Sequence, residues 1–228
     1  MPPIPVLIGA AVVDSINPCA FGVLIFLLAY LTKTAGNNKT KLLVHGLAYI
    51  VAVFLTYLIA GLILMPIIGS LGRISTTLYG VIGSIVILFG LLELKDFFWY
   101  GKGPSLQLLP GASKRIKMYV NKISGSLFSA FSLGVFVALV ELPCTGAVYL
   151  AILSIMALSG TNAATIGWLI TYNVIFVLPL IVILLAFYKG MTAEQLEAWR
   201  TKNRHYMRLA IGLLLLFLGG WMIQTALF

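Results

Sequence analysis

Asp14-Ser15-Ile16-Asn17-Pro18-Cys19 interrupts a long apolar run near the N-terminus, and Glu141-Leu142-Pro143-Cys144 repeats its ending in the second half of the chain. The 228-residue chain has two cysteines, and each directly follows one of its nine prolines. Composition alone gives that coincidence roughly one time in 600. A proline deep in an apolar helix removes an amide donor and clashes with the carbonyl four residues earlier, here that of Asp14 or Leu139. Each run is therefore expected to break at its Pro-Cys pair. In the first copy Asn17 reads as the N-cap, Pro18 as the first helical residue and Cys19 as the second. The second copy caps less well, because the Leu142 side chain accepts no hydrogen bond. A thiol at a helix N-terminus meets unpaired amides and the positive end of the dipole, which favours the thiolate. Either site alone suits a plainer reading, a small buried hydrophobe beside a helix kink. The paired occurrence points to a working centre.

Hydrophobic residues make up 61% of the chain and charged residues 9%, against about 25% charged in soluble domains. That composition describes an integral membrane protein. The formal charge of +9 sits in short connections between apolar runs. It reads as a topology signal and not as a nucleic-acid surface. The start Met1-Pro2-Pro3-Ile4-Pro5 lacks a basic n-region, so no cleavable signal peptide is expected. No C-x-x-C, zinc spacing or haem-attachment motif is present, and no metal, cofactor or nucleotide is expected.

Six apolar runs are long enough to cross about 30 Å of hydrocarbon. They extend over Ile4 to Leu31, Leu42 to Pro66, Ile74 to Leu92, Leu127 to Leu158, Ala163 to Tyr188 and Leu209 to Leu227. Counting alternate connections, fourteen Lys and Arg fall on one side and only Arg73 on the other. By the positive-inside rule both termini lie outside the cell and the basic connections lie in the cytoplasm. The long connection after Glu93 joins two halves, and its Lys114, Arg115 and Lys117 suit either anionic headgroups or a solvated loop. Thr192 followed by Gln195 opens a capped helix, expected to lie on the membrane surface through Leu196 and Trp199.

The expected fold is all-α, with six transmembrane helices arranged as two inverted three-helix repeats, residues 1–100 and 126–228, joined by a linker over 101–125. Three spans joined in series to three more must enter the membrane in opposite orientation. Gly83 with Gly90 in the third span matches Gly212 with Gly219 in the sixth, a spacing suited to close helix packing. Two positive half-helix ends would then meet near the midplane, each carrying a sulfur. Asp14 and Glu141 are intramembrane carboxylates. They fit two roles equally, exchanging thiol protons or accepting the backbone donors freed at the breaks.

One cysteine per repeat suits a single two-electron couple, a dithiol alternating with a Cys19-Cys144 disulfide. Such a bridge needs alpha carbons about 4.4 to 6.8 Å apart, so the first and fourth spans must be neighbours. Exchange proceeds by thiolate attack and a mixed disulfide. Protein partners cannot enter lipid, so the site must move or be reached through water from alternate sides.

On Asn17-Pro18-Cys19 and Pro143-Cys144-Thr145-Gly146 the chain resembles the CcdA family and the related transmembrane domain of DsbD, over essentially all six spans. The resemblance implies that cytoplasmic thioredoxin reduces a Cys19-Cys144 disulfide. The dithiol then reduces a thioredoxin-like protein outside the inner membrane of a prokaryote, serving cytochrome c maturation or disulfide correction. Many relatives carry a further proline three residues after each cysteine, where this chain has Gly22 and Ala147. With no thioredoxin-like or immunoglobulin-like domain attached, the match is to the short stand-alone form. The competing reading is a six-span exporter of a small molecule or ion, with non-redox cysteines and with Asp14 and Glu141 handling protons.

Overall fold

The computed structural model describes residues 4–16, 18–35, 38–72, 76–98, 126–140, 142–157 and 162–227. Among these there are eight helices and no strand. They are α1 (Ile4–Ser15), α2 (Pro18–Ala35), α3 (Lys39–Gly72), α4 (Thr76–Phe98), α5 (Leu127–Val140), α6 (Leu142–Ala157), α7 (Ala163–Tyr188) and α8 (Ala193–Leu227). The linker expected over 101–125 lies outside the described residues.

Local chemistry sets most helix ends. After α1 the Ile16 amide donates to the Val13 carbonyl at 3.2 Å, a tightened last turn, and α2 opens at Pro18, whose missing N–H is not needed there. α5 stops at Val140 and α6 opens at Leu142, one residue ahead of Pro143. Asn162 caps α7 by accepting from the Thr165 amide at 2.9 Å. Gly190, at φ 112°, makes the turn out of α7. The capping box expected at α8 is present: the Thr192 amide donates to Gln195 Oε1 at 3.0 Å, and the Gln195 amide to Thr192 Oγ1 at 3.3 Å.

Two expectations are corrected. The second span was expected to stop at Pro66, yet α3 continues through it to Gly72. A proline removes one hydrogen bond, and the apolar residues on both sides keep the remaining ladder intact. The segment from Thr192 to Arg204 was expected to lie on the membrane surface. It instead forms the first turns of one continuous 35-residue helix, α8. No glycine or proline separates it from the apolar run that follows, and Leu196 is buried inside the protein.

Polarity is inverted relative to a soluble domain. Asp14, Glu93, Asp96, Asn173 and Arg208 are buried, while Val182 and Phe217 are 63% and 56% exposed. Lys39–Ser70, Ala163–Tyr188 and Ala193–Gln224 are long and apolar enough to cross a bilayer, and Ile4–Ser15, Leu127–Leu139 and Gly146–Ala157 are shorter apolar helices. The chain is a helical membrane protein whose apolar outer surface suits lipid.

α4 and α8 make the most extensive pairing, followed by α3 with α5 and α3 with α7. Glycine sets the first of these. A Cβ on Gly90 would lie 3.1 Å from the Gly212 carbonyl oxygen, and one on Gly212 would lie 3.2 Å from that of Gly90. Gly83 and Gly219 face each other in the same way, at 3.2 and 2.9 Å. The two backbones touch along an antiparallel seam. The seam ends in a charge cluster in which Arg208 Nη1 donates to Asp96 Oδ2 at 2.7 Å and to Glu93 Oε2 at 3.2 Å, with Lys95 Nζ 3.0 Å from Asp96 Oδ1. Arg208 is 3% exposed, so a residue counted from the sequence among the basic connections is buried in an ion cluster.

Gly219→Ala is expected to lower the thermal unfolding midpoint in detergent, because its Cβ would press on the Gly83 carbonyl; overpacking of this kind costs about 1–3 kcal/mol. Gly220→Ala, whose Cβ meets nothing within 4 Å among the described residues, should be neutral or stabilising. Equal midpoints for the two variants would show that the seam is not tight. Arg208→Met removes the cation from between two buried carboxylates and is expected to destabilise by about 3–5 kcal/mol. Unfolding in a denaturant series checks this.

Candidate functional site

The backbone places Cys19 second in α2 and Cys144 third in α6, each in a first turn where amides lack intrahelical partners. Asn17 and Glu141 lie outside the described residues, as do the side chains of Pro18, Cys19, Pro143, Cys144 and Thr145. Gly146 is buried. The two interrupted runs touch: α1 packs on α6, and α2 packs on α5.

Asp14, at the end of α1, is fully buried on the stripe Leu7, Ala10, Ala11, Asp14. That stripe faces α7, the main neighbour of α1. The Tyr172 hydroxyl of α7 donates to Asp14 Oδ2 at 2.7 Å, and Asp14 Oδ1 has no hydrogen-bond partner among the described residues. The carboxylate is thus held by a residue of the other half of the chain, which neither role proposed for it from sequence included.

Tyr172 leads into a polar and aromatic cluster. Its ring centroid lies 5.7 Å from that of Tyr149 on α6, and Tyr149 meets Tyr57 of α3 edge-on at 5.3 Å. The Tyr149 hydroxyl donates to the Tyr57 carbonyl at 2.6 Å. It fits against Gly61 of α3, where any Cβ would collide with it. Asn173 donates from Nδ2 to the Leu169 carbonyl at 2.8 Å. Sequence reasoning missed Tyr149, Tyr172 and Asn173. Asn173 was the available signal, as an amide in the middle of an apolar span, where polar groups are expensive.

The start of α8 runs along α2. Trp199 lies beside Phe21, with ring centroids 6.5 Å apart. The Arg200 guanidinium covers Gly22, with Cζ, Nη2 and Nη1 at 2.7, 2.8 and 2.9 Å from the position a Cβ would take. Further along, Ala29 and Thr32 of α2 and Ala193 and Glu194 of α8 line one cavity of about 580 Å³. The pairing of α2 with α8 is therefore antiparallel.

Taken together, these features define a helical membrane protein with two interrupted apolar runs in contact and a cysteine in the first turn after each interruption. The family model described as "Sap, sulfolipid-1-addressing protein" matches residues 7–227, and the chain belongs to that family. The matching model is not that of CcdA. The chain is also similar to the thiol:disulfide interchange protein DsbD of Yersinia pestis (strain Pestoides F), 28% identical over 192 residues, covering 84% of this chain and 30% of that protein. DsbD of Photorhabdus laumondii is 30% identical over 183 residues, covering 80% of this chain and 30% of its own length. The chain thus spans about 30% of the length of these relatives. No solved structure matches it.

Tyr172→Phe is expected to destabilise the protein by about 1–3 kcal/mol, because it leaves the buried Asp14 Oδ2 without its donor. In an Asp14→Leu background the same change should cost much less. A double-mutant cycle on unfolding in detergent measures the coupling, and additive effects would refute the link between α1 and α7.

Proposed function

We propose that the chain is a membrane thiol-disulfide carrier that passes reducing equivalents through a Cys19/Cys144 pair, from cytoplasmic thioredoxin to an extracytoplasmic thioredoxin-like acceptor, as in cytochrome c maturation. The observation that carries this reading is the contact between the two interrupted runs, α1 on α6 and α2 on α5, which supports the closeness that a Cys19-Cys144 disulfide requires. The similarity to DsbD, named for thiol:disulfide interchange, supports it. In each turn of the cycle a partner dithiol becomes a disulfide and the Cys19-Cys144 disulfide becomes two thiols; the reverse exchange at the other surface returns the electron pair to the acceptor. Thioredoxin stands near about −270 mV, so electrons run outward to an oxidising exterior without a nucleotide or quinone.

The remaining parts of the reading follow. Six spans form two inverted repeats, residues 1–100 and 126–228, in a prokaryotic inner membrane with both termini outside. Support comes from the packing, in which α1 on α7 has a counterpart in α5 on α3, and α2 on α8 one in α6 on α4. The seam contacts Gly83–Gly219 and Gly90–Gly212 exchange under the same correspondence. Asn17, Pro18 and Pro143 open the half-helices, Thr145 and Gly146 continue the second, and Asp14 and Glu141 serve protons or freed backbone donors near the sulfurs. CcdA membership belongs to this proposal as well.

A second reading is favoured by the family description, which names the addressing of a sulfolipid. In it the same scaffold exports an amphiphile or small molecule and the cysteines are not redox-active.

The test presents a thioredoxin with a single active-site cysteine from each side of oriented membrane vesicles. A covalent adduct at Cys19 or Cys144 is expected. Absence of an adduct from either side would overturn the carrier reading. Replacing both cysteines with serine should abolish electron transfer, whereas an exporter would keep transporting.

A further inference from the structure

The carrier reading treats the two cysteines as equivalent, yet their surroundings differ. Gly22 stands three residues after Cys19 in α2, and residues three apart share a helix face, with Cβ atoms about 5–6 Å from each other. The place of the missing Gly22 side chain is filled by the Arg200 guanidinium, whose Cζ and two Nη atoms lie at nearly equal distances from it. Side chains on a helix lean toward its N-terminus, so a group occupying that place is carried toward residue 19. Arg200 reaches there because α8 continues unbroken past the surface position expected for it, and it is anchored through Nη1 to both oxygens of Glu197 at 2.6 and 2.7 Å. Trp199 against Phe21 fixes the same turn of α8. In the second half Ala147 occupies the corresponding place three residues after Cys144, and it is buried with a methyl group of its own.

We infer that Arg200 is a positioning residue for the redox centre: its guanidinium, admitted by the absent side chain of Gly22, stabilises the thiolate of Cys19 more than that of Cys144. The inference rests on the carrier reading for its purpose, but not for its measurement. A cation within one helical turn adds to the positive end of the α2 dipole, and a thiolate beside Arg is the more populated and more easily expelled form. When a partner thiolate attacks the Cys144 sulfur, the Cys19–Cys144 bond breaks, its electron pair stays on Cys19, and the new bond joins the partner to Cys144. Gly22 is thus the opening that lets a charge from the last span reach the first sulfur.

The experiment measures the rate of alkylation by iodoacetamide at neutral pH, in detergent, on full-length reduced protein carrying Cys144→Ser, so that Cys19 is the only thiol. Arg200→Gln is expected to slow the reaction about threefold to tenfold, since lost thiolate is partly offset by the higher intrinsic nucleophilicity of a more basic thiol. Arg200→Lys, which keeps the charge, should restore most of the rate. Gly22→Ala, which displaces the guanidinium without removing its charge from the protein, should slow it in the same direction, and Arg200→Gln and Gly22→Ala should each have a smaller effect on Cys144 measured in a Cys19→Ser background. Equal rates in all variants, a fall that Lys does not restore, or the same fall at Cys144 would overturn the inference. Thioredoxin trapping reports on the carrier reading separately, so a chain whose Cys19 responds to Arg200 but forms no adduct would retain the charge effect and lose the relay.

Discussion

Backbone contact between α4 and α8 is the constraint from which the rest of the arrangement follows. Apolar side chains gain nothing by leaving lipid for one another, so helices in a membrane are held by close packing and by polar contacts. Two glycines on each helix provide the closeness, with Gly83 opposite Gly219 and Gly90 opposite Gly212. The seam fixes the rotation of α8 about its own axis, and everything N-terminal on that helix inherits it. Arg208, four residues before Gly212, meets Glu93 and Asp96, three and six residues after Gly90, so the ion cluster extends the glycine register. A helix turns about 100° per residue, and each step of four residues therefore drifts by about 40°. By Arg200 the stripe has swung about 120° from Gly212, off α4 and onto α2.

The second constraint is that no backbone donor or acceptor can be left to hydrocarbon. Breaking a span inside the membrane is tolerable only where other protein covers the break. In this chain α6 and α7 stand against α1, and α5, α7 and α8 stand against α2. The polar groups nearest the first break are drawn inward for the same reason. Asp14 is held by Tyr172, and Tyr149 is seated on Gly61 with its hydroxyl on the Tyr57 carbonyl, so α1, α6, α7 and α3 are tied together by contacts that exclude lipid.

What was legible in the sequence was local. A proline followed by cysteine marks a helix start because the rule concerns one residue's amide and ring, and α2 opens on Pro18 accordingly. Glycines seven apart in two spans imply a seam because only glycine permits backbone contact, and the capping box at Thr192 needs four residues to be recognised. The misreadings concern residues whose meaning depends on distant partners. Arg208 counts as a basic connection residue until Glu93 and Asp96, more than one hundred positions away, are placed beside it. Tyr172 looks like one apolar-span aromatic among many until α1 brings Asp14 to it. The amphipathic start of α8 was assigned to the membrane surface because its periodicity says that one face is apolar without saying what that face meets. The protein supplied α2 where a lipid surface was expected.

The correspondence proposed between the two halves does not extend to charge, and under the carrier proposal that difference bears on direction. If the repeats were equivalent in every respect, the two sulfurs would be equally good nucleophiles and leaving groups, and only the redox state of the partners would bias the exchange. One departure from equivalence lies at Gly22, which stands where the second half has Ala147, and the Arg200 guanidinium covers it. The charge over Gly22 and the Tyr172 hydroxyl on Asp14 both come from helices of the second half, α8 and α7. The surroundings of Gly22 and Asp14 are thus built by the second half of the chain. On the carrier proposal, a rearrangement that parts α8 from α2 would withdraw Arg200 at the same time as it uncovers α2. Access and reactivity at Cys19 would then change in one step, as a carrier working between two compartments requires.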